Sequence, residues 1–384
     1  SGAGGSFVGT AYTFSTSPVN NELWAWGYNA TGDLGLNSRT YFSSPVQIPG
    51  TDWTNVNQGN AHDSTFNHAL KSDGSLWMWG SNTNGQLGQN QGGPSPKYSS
   101  PVQVPGTWNA VTSGSYHVIG VKSDGTMWGW GYTGAGSLGQ NEDSDNDTTA
   151  YSSPVQIGSD TTWGTEIGGG NQYSLAIKTD GTLWNWGWGG SGSQGQNNET
   201  AYSSPVQIPG TTWSKVARCN FYGGAAIRTD GTLWMWGAND NGELGINAQG
   251  SQRSSPAQVP GTNWATINRT NKGTIATKTD GTLWSWGYNA QGMLGHNNRQ
   301  YYSSPTQIGS GTNWSTDSED IVIGSHLAGA IKADGTLWLW GNGTRGGTAQ
   351  NNNIKYSSPV QVPGTTWSQL SLRRLDVVTA IKEL

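Results

Sequence analysis

The chain has 384 residues of even composition from end to end, with 11% charged residues against about 25% in an ordinary globular protein, and its 22 Trp are too many for a disordered tail. The net charge of -5 contains no basic run or basic half, which argues against nucleic-acid binding, and no stretch approaches the roughly 18 apolar residues of a membrane-spanning helix. The single Cys219 excludes an intramolecular disulfide framework and a four-cysteine metal site, and leaves the compartment open.

Residues 1–19 read as a leader. It starts without Met or a charged segment, so any signal peptide or propeptide is expected to be gone already or never to have existed. Within it, Ala11-Tyr-Thr-Phe-Ser15 reads as an extra strand or as tail. Residues 20–384 read as one domain. It opens on Asn20-Asn-Glu-Leu-Trp-Ala-Trp-Gly27, which has the form of the second arm of a hairpin without its first arm.

The Trp-x-Trp-Gly of that segment recurs. Its first tryptophans are Trp24, Trp77, Trp128, Trp184, Trp234, Trp284 and Trp338, spaced 50 to 56 residues apart. Each copy is followed by Ser-Ser-Pro, with Pro45, Pro101, Pro154, Pro205, Pro256, Pro305 and Pro359. A lone tryptophan then follows: Trp53, Trp108, Trp163, Trp213, Trp264, Trp314 and Trp367. Only Trp188 stands outside this scheme.

Each unit reads as four short strands. An inner strand such as Ser174–Lys178 leads through Asp180-Gly181 into Leu183-Trp-Asn-Trp-Gly187. Asp-Gly between β-prone runs signals a hairpin, because Gly accepts the positive φ of the tight turn. On a strand the two rings of Trp-x-Trp face one side. A Gly-x-Asn-x-x-Gly-x-Leu-Gly turn follows, as in Gly237–Gly245, then a third strand at Pro-Val-Gln and a fourth around the lone Trp. Pro is tolerated at a strand start, where its missing N–H costs little. No stretch shows a 3.6-residue period, so almost no helix is expected.

Four strands per unit, repeated seven times, predict an all-β chain folded as a seven-bladed β-propeller. Indole supplies the core: each ring can bury about 150–250 Å², roughly 4–6 kcal/mol gross. The chain ends on Val378-Thr-Ala-Ile-Lys-Glu-Leu384, an inner strand without its hairpin partner. Pairing it with Leu23-Trp24 would complete one blade, close the ring and remove two sheet edges.

The order inner strand, Asp-Gly, Leu-Trp-x-Trp-Gly, Gly-x-Asn-x-x-Gly-x-Leu-Gly and Pro-Val resembles the regulator of chromosome condensation repeat over about residues 20–384. The resemblance implies a seven-bladed propeller closed by a blade shared between the termini. Relatives of this type include an exchange factor for a nuclear GTPase, secreted bacterial inhibitors of β-lactamase, and bacterial and phage proteins. The wedge-like loop and basic tails of the exchange factor have no counterpart here. Thr133 and Gly189 replace the turn Asn in the third and fourth copies, and Gly341–Ala349 departs more widely, so different local turns are expected there.

Motifs that look chemical are weak in this context. Gly-x-Gly-x-x-Gly at Gly129–Gly134, Gly187–Gly192 and Gly341–Gly346 falls beside the turn after Trp-x-Trp, with no helix to carry a dinucleotide. Asp143, Asp145 and Asp147 alternate as in a calcium loop, but the loop glycine and the terminal Glu are missing, so a solvated acidic loop is favoured. Neither His-Glu-x-x-His nor a Gly-x-Ser-x-Gly elbow occurs. No cofactor and no catalysis are expected, although strands could still assemble a site at the central channel.

The repeats differ most between the lone Trp and the next inner strand. There the copies carry His62; Tyr116 and His117; Tyr173; Phe221 and Tyr222; Arg269 and Lys272; His326; and Arg373 and Arg374. Loops on a rigid scaffold carry recognition, and these residue types favour interface centres. They are expected to cluster on one face and, with Trp188 as a stacking surface or a packing plug, to bind a protein or a polysaccharide. Tucking into the blades is their alternative fate. Low charge and abundant Asn, Thr, Ser and Gly fit a secreted, cell-surface or virion protein, with packing into a larger surface assembly or action as an enzyme inhibitor as further readings.

Overall fold

The computed structural model describes residues 20–60, 65–91, 97–142, 150–217, 222–270, 272–372 and 377–384. They form seven four-stranded antiparallel sheets, the blades of a propeller. Among the described residues no helix is long and apolar enough to cross a membrane. Blade 1 joins the two ends of the chain. Strand Glu22–Gly27 pairs with Val377–Lys382, with Leu23 opposite Ile381 and Trp24 opposite Ala380. The expected closure is therefore present, and it is doubled, since two strands come from each end: Phe42–Ile48 and Trp367–Leu372 complete the sheet.

The phase of the repeat differs from its reading as a sequence. The lone-Trp strand is not the fourth strand of the unit before it. It is the innermost strand of the next blade, as in the order Trp163–Gly169, Tyr173–Lys178, Leu183–Gly187, Tyr202–Ile208 of blade 4. Innermost strands of neighbouring blades touch around the channel. The Ser-Ser-Pro strand is outermost, so its proline lies on a sheet edge, where no ladder partner is lost.

The three tryptophans of each blade have three distinct fates. The lone ring packs edge-on against the Trp-x-Trp rings of its own blade, as Trp163 does against Trp184 and Trp186 at 6.2 and 6.0 Å. The first ring of Trp-x-Trp is half-buried and donates locally, as Trp184 Nε1 does to Thr182 Oγ1 at 2.9 Å. The second ring is fully buried, and its N–H crosses to the previous blade. Trp79 donates to the Asp33 carbonyl at 2.9 Å, Trp130 to Gln86 at 2.9 Å and Trp340 to Met293 at 2.8 Å. Trp26 makes the same bond to Gly347 at 3.1 Å across the closure. One hydrogen bond thus rivets every blade to its neighbour, each contributing about 1 kcal/mol net.

The turn after Trp-x-Trp supplies the acceptors. In the regular copies its Asn side chain braces the turn, as Asn29 Oδ1 accepts from Leu34 N–H at 2.9 Å. Gly32 has φ +83°, and a Cβ there would lie 2.7 Å from Ser99 Cβ of the next blade, so only Gly fits. Where Thr133 and Gly189 replace the Asn, the turns become short 3-10 segments, Gly134–Gly136 and Gly190–Gly192, as expected for local change within a constant fold. Ser137 Oγ and Ser193 Oγ then close these turns on the carbonyls of Tyr132 and Trp188.

Candidate ligand-binding face

The connections between innermost and second strands share one face of the ring with the turns that follow Trp-x-Trp-Gly. The register requires it: the end of each third strand lies opposite the start of its second strand, as Gly187 does opposite Tyr173 and Gly341 opposite Leu327. A recurring backbone bond then joins the two loops. The carbonyls of Tyr116, Gln172, Tyr222, Lys272 and His326 accept from the N–H groups of Tyr132, Trp188, Ala238, Tyr288 and Asn342. Tyr116, Tyr222, Lys272 and His326 therefore sit at one repeated position, just before the second strand, and all four are at least partly exposed.

Aromatic pairs dominate this face. Trp188 is half-buried and meets Tyr222 of the next blade at 4.8 Å. Tyr28 stacks on Tyr41 at 5.1 Å, Tyr116 meets Tyr132 at 6.1 Å, and Tyr288 meets Tyr301 at 4.8 Å. The outer members stay open to solvent: Tyr41 is 52% exposed, Tyr301 43% and Tyr222 40%. Two cations join them, Lys272 Nζ at 4.8 Å over the Tyr288 ring and Arg345 at 4.8 Å over Tyr28. Partial burial first, then Tyr41 and Asp33, raise the Tyr28 hydroxyl above its ordinary value, so it remains a neutral donor.

Trp188 is thus not an odd residue. It fills the position after Trp-x-Trp-Gly that Tyr28, Tyr132 and Tyr288 fill in other copies. That aromatic column is the signal for Tyr28, Tyr132 and Tyr288; Tyr41 and Tyr301 stand instead four residues before the proline of Ser-Ser-Pro, and the variable loops contain none of the five.

Three residues expected on the face are instead built into the body. His117 is 1% exposed, its Nε2 lies 3.0 Å from Ser174 Oγ of the next blade, and burial lowers its pKa to about 4. Tyr173 is fully buried and its hydroxyl donates to the Gly223 carbonyl of the next blade. Arg269 is 3% exposed and donates to the carbonyls of Trp236 and Ala238 at 2.8 and 2.9 Å. The cause is register. His117 and Tyr173 open their second strands, at the core position that Phe66, Leu327 and Val377 hold elsewhere, and Arg269 ends an innermost strand. All three tie neighbouring blades together and present no side chain to a ligand. His62, Phe221, Arg373, Arg374, Asp143, Asp145 and Asp147 lie outside the described residues.

The central channel has a polar mouth at the opposite end, a cavity of about 330 Å³ lined by Asn55, Glu166, Lys215, Asp317 and Glu319. Lys215 Nζ sits 2.8 Å from Glu166 Oε1. Burial works against the ammonium, but the Glu166 hydrogen bond and surrounding carboxylates outweigh it and raise its pKa. An amine held protonated is neither a base nor a nucleophile. Among the described residues no cluster of three or more His, Cys, Asp or Glu is placed to hold a metal.

The RCC1-like domain family matches residues 22–380. The ultraviolet-B receptor UVR8 of Arabidopsis thaliana is 28% identical over 141 residues, covering 36% of this chain and 31% of the receptor. The human E3 ubiquitin-protein ligase HERC2 is 25% identical over 207 residues, 52% of this chain but 4% of the ligase. The chain therefore spans only a minor part of these relatives. Among solved structures, human WBSCR16 superposes with a TM-score of 0.82 at 18% identity, covering 94% of this chain and 98% of that one. Prp20p from Saccharomyces cerevisiae, described with its binding properties to Gsp1p and histones, superposes at 0.81 and 16% identity, covering 96% and 93%. At such identities the superpositions speak to fold. With the family match running from blade 1 around to blade 1 again, this chain belongs to the RCC1-like domain family.

Proposed function

We propose that the chain is a non-catalytic binding scaffold that takes a protein or polysaccharide partner on the loop face, at a cell surface, on a virion or in the extracellular space. The observation that carries the reading is the set of exposed aromatic pairs. Tyr41, Tyr222 and Tyr301 hold area out of the core although the other described rings are at least half-buried. Tyr and Trp supply rigid contact area at low entropic cost and anchor interface centres. Binding described for Prp20p supports a scaffold role for the fold, and the low charge of 11% supports a surface setting.

The test is capture of partners from surface extracts, and on a glycan array, by the intact chain and by a variant with Tyr41, Trp188, Tyr222 and Tyr301 all changed to Ala. The intact chain should capture a ligand that the variant loses while keeping its Tm within a few degrees. Unchanged capture by the variant would remove this face from the account.

A further inference from the structure

A second kind of site lies between neighbouring blades, away from the loop face, and does not depend on the reading above. Three grooves of about 280, 340 and 300 Å³ open between blades 1 and 2, 3 and 4, and 4 and 5. That is the small end of ligand pockets, with space for a sugar residue rather than a protein element. The walls are equivalent. The groove between blades 4 and 5 is lined by Asn197, Trp213, Arg228, Trp234 and Pro256, and that between blades 1 and 2 by Asn37, Trp53, Lys71, Trp77 and Pro101.

Each groove holds one cation at the end of a second strand, over the indoles. Arg228 lies 4.6 and 4.5 Å from the Trp213 and Trp234 rings, and Lys71 lies 4.8 and 5.6 Å from Trp53 and Trp77. Neither makes an ion pair within the described residues. Buried donors are also left unmet. Among the described residues the indole N–H groups of Trp108, Trp163, Trp213, Trp264 and Trp367, and Nε of Arg228, have no acceptor, which native proteins rarely tolerate, whereas the Trp53 N–H donates to the Gly50 carbonyl at 3.2 Å. Trp163 and Trp213 are 5% and 2% exposed, and both line grooves.

The groove between blades 3 and 4 shows what the cation prefers. There the connecting loop brings in Asp160, which lines the groove and pairs with Lys178. That hydrogen bond first, then those from Thr162, hold the Asp160 carboxyl down at about 2. Lys178 takes this partner although Asp180 of its own hairpin is two residues away. The corresponding connection into blade 5, Pro209-Gly-Thr-Thr212, brings no acid.

We propose that the inter-blade grooves are binding sites for carboxylate-bearing sugars of the uronic acid class, with the carboxylate on the groove cation and the C–H face of the ring against the half-exposed indole and the proline. Asn and Ser at the groove edge serve the hydroxyls. Repetition of the cation and its indoles in every blade suits a ligand that is itself a repeat, because linked sites raise avidity.

The probe is a galacturonate hexamer, titrated calorimetrically into the full chain at pH 7 and low salt. Maltohexaose and hexaglutamate serve as the neutral and the sugar-free controls. The hexamer is expected to bind, more weakly as salt rises. Arg228→Gln with Lys71→Gln should lower the amount of hexamer bound, since two of the repeated groove cations are removed. Asp160→Ala should do the reverse and raise the amount of galacturonate bound by opening a further groove at Lys178. Circular dichroism and Tm check that each variant is folded. No binding of the hexamer by the folded wild-type chain, equal binding of maltohexaose, equal binding of hexaglutamate, or no gain with folded Asp160→Ala would each overturn the assignment.

Discussion

Trp338 and Trp340 sit two residues apart on one strand, yet replacing each with Phe should cost very different amounts. Trp340 is fully buried, and its N–H donates to the Met293 carbonyl of the previous blade at 2.8 Å. Trp340→Phe leaves that buried carbonyl unmet, which costs about 1–3 kcal/mol. The lost part of the indole removes roughly 1 kcal/mol of burial. The expected total is about 2–4 kcal/mol. At about 2.1 cal/mol/K of unfolding entropy per residue, this corresponds to a fall in Tm of roughly 3–5 °C for a chain of this size. Trp338 is half-buried and donates to Thr336 Oγ1 at 3.0 Å, within its own hairpin and in reach of water. Trp338→Phe should cost about 1 kcal/mol or less. Chemical denaturation with matched m-values separates the two. Equal losses at both positions, or a change at Trp340 within about 0.5 kcal/mol, would refute the claim that this hydrogen bond rivets the blades.

Gly242 has φ +84°, and an added Cβ would lie 2.6 Å from Ser303 Cα of the next blade, so Gly242→Ala should destabilise by about 2 kcal/mol or more, read by denaturant titration. Burial lowers the His117 pKa to about 4. The imidazole stays neutral in the fold while the unfolded chain protonates near 6.5, so its contribution to stability is complete above about pH 6.5 and is lost as pH falls toward 4. A pH series of Tm should show that loss in the wild type and less of it in His117→Asn. Asp320 moves the other way: burial chiefly raises its pKa to about 7. Its carboxyl keeps its proton in the fold when the unfolded chain has lost it, so stability from this group is complete below about pH 4 and is lost as pH rises through 7. Asp320→Asn should raise Tm relative to wild type at pH 8 more than at pH 4; an equal shift at both would reject the assignment.

The architecture was legible because the repeat is carried by indoles and turns that cannot change without loss. Trp53 must fill its own blade, Trp79 must reach the blade before it, and Gly32 has no room for a Cβ. The phase of the blade was not legible. A cyclic repeat has no natural start in sequence, so whether Trp53 closes one blade or opens the next is settled only by pairing. The loop face was half legible. Comparing copies found Tyr222, Lys272 and His326 because their position varies, but the same comparison swept in His117 and Tyr173. Variation alone does not separate an exposed side chain from a buried one that swaps Phe for His or Tyr. The position after Trp-x-Trp-Gly holds the clearer aromatic signal, which emerges only when Trp188 is aligned with Tyr28, Tyr132 and Tyr288.

The two ends of the chain share one sheet, and hydrogen exchange read by mass spectrometry tests this most directly. Backbone amides of Glu22–Gly27 and Val377–Lys382 should be protected as strongly as those of the interior strands Tyr173–Lys178 and Leu183–Gly187. Both terminal segments should also open together, because each is the other's ladder partner. Rapid exchange of either segment while blade 4 stays protected would contradict the closed ring.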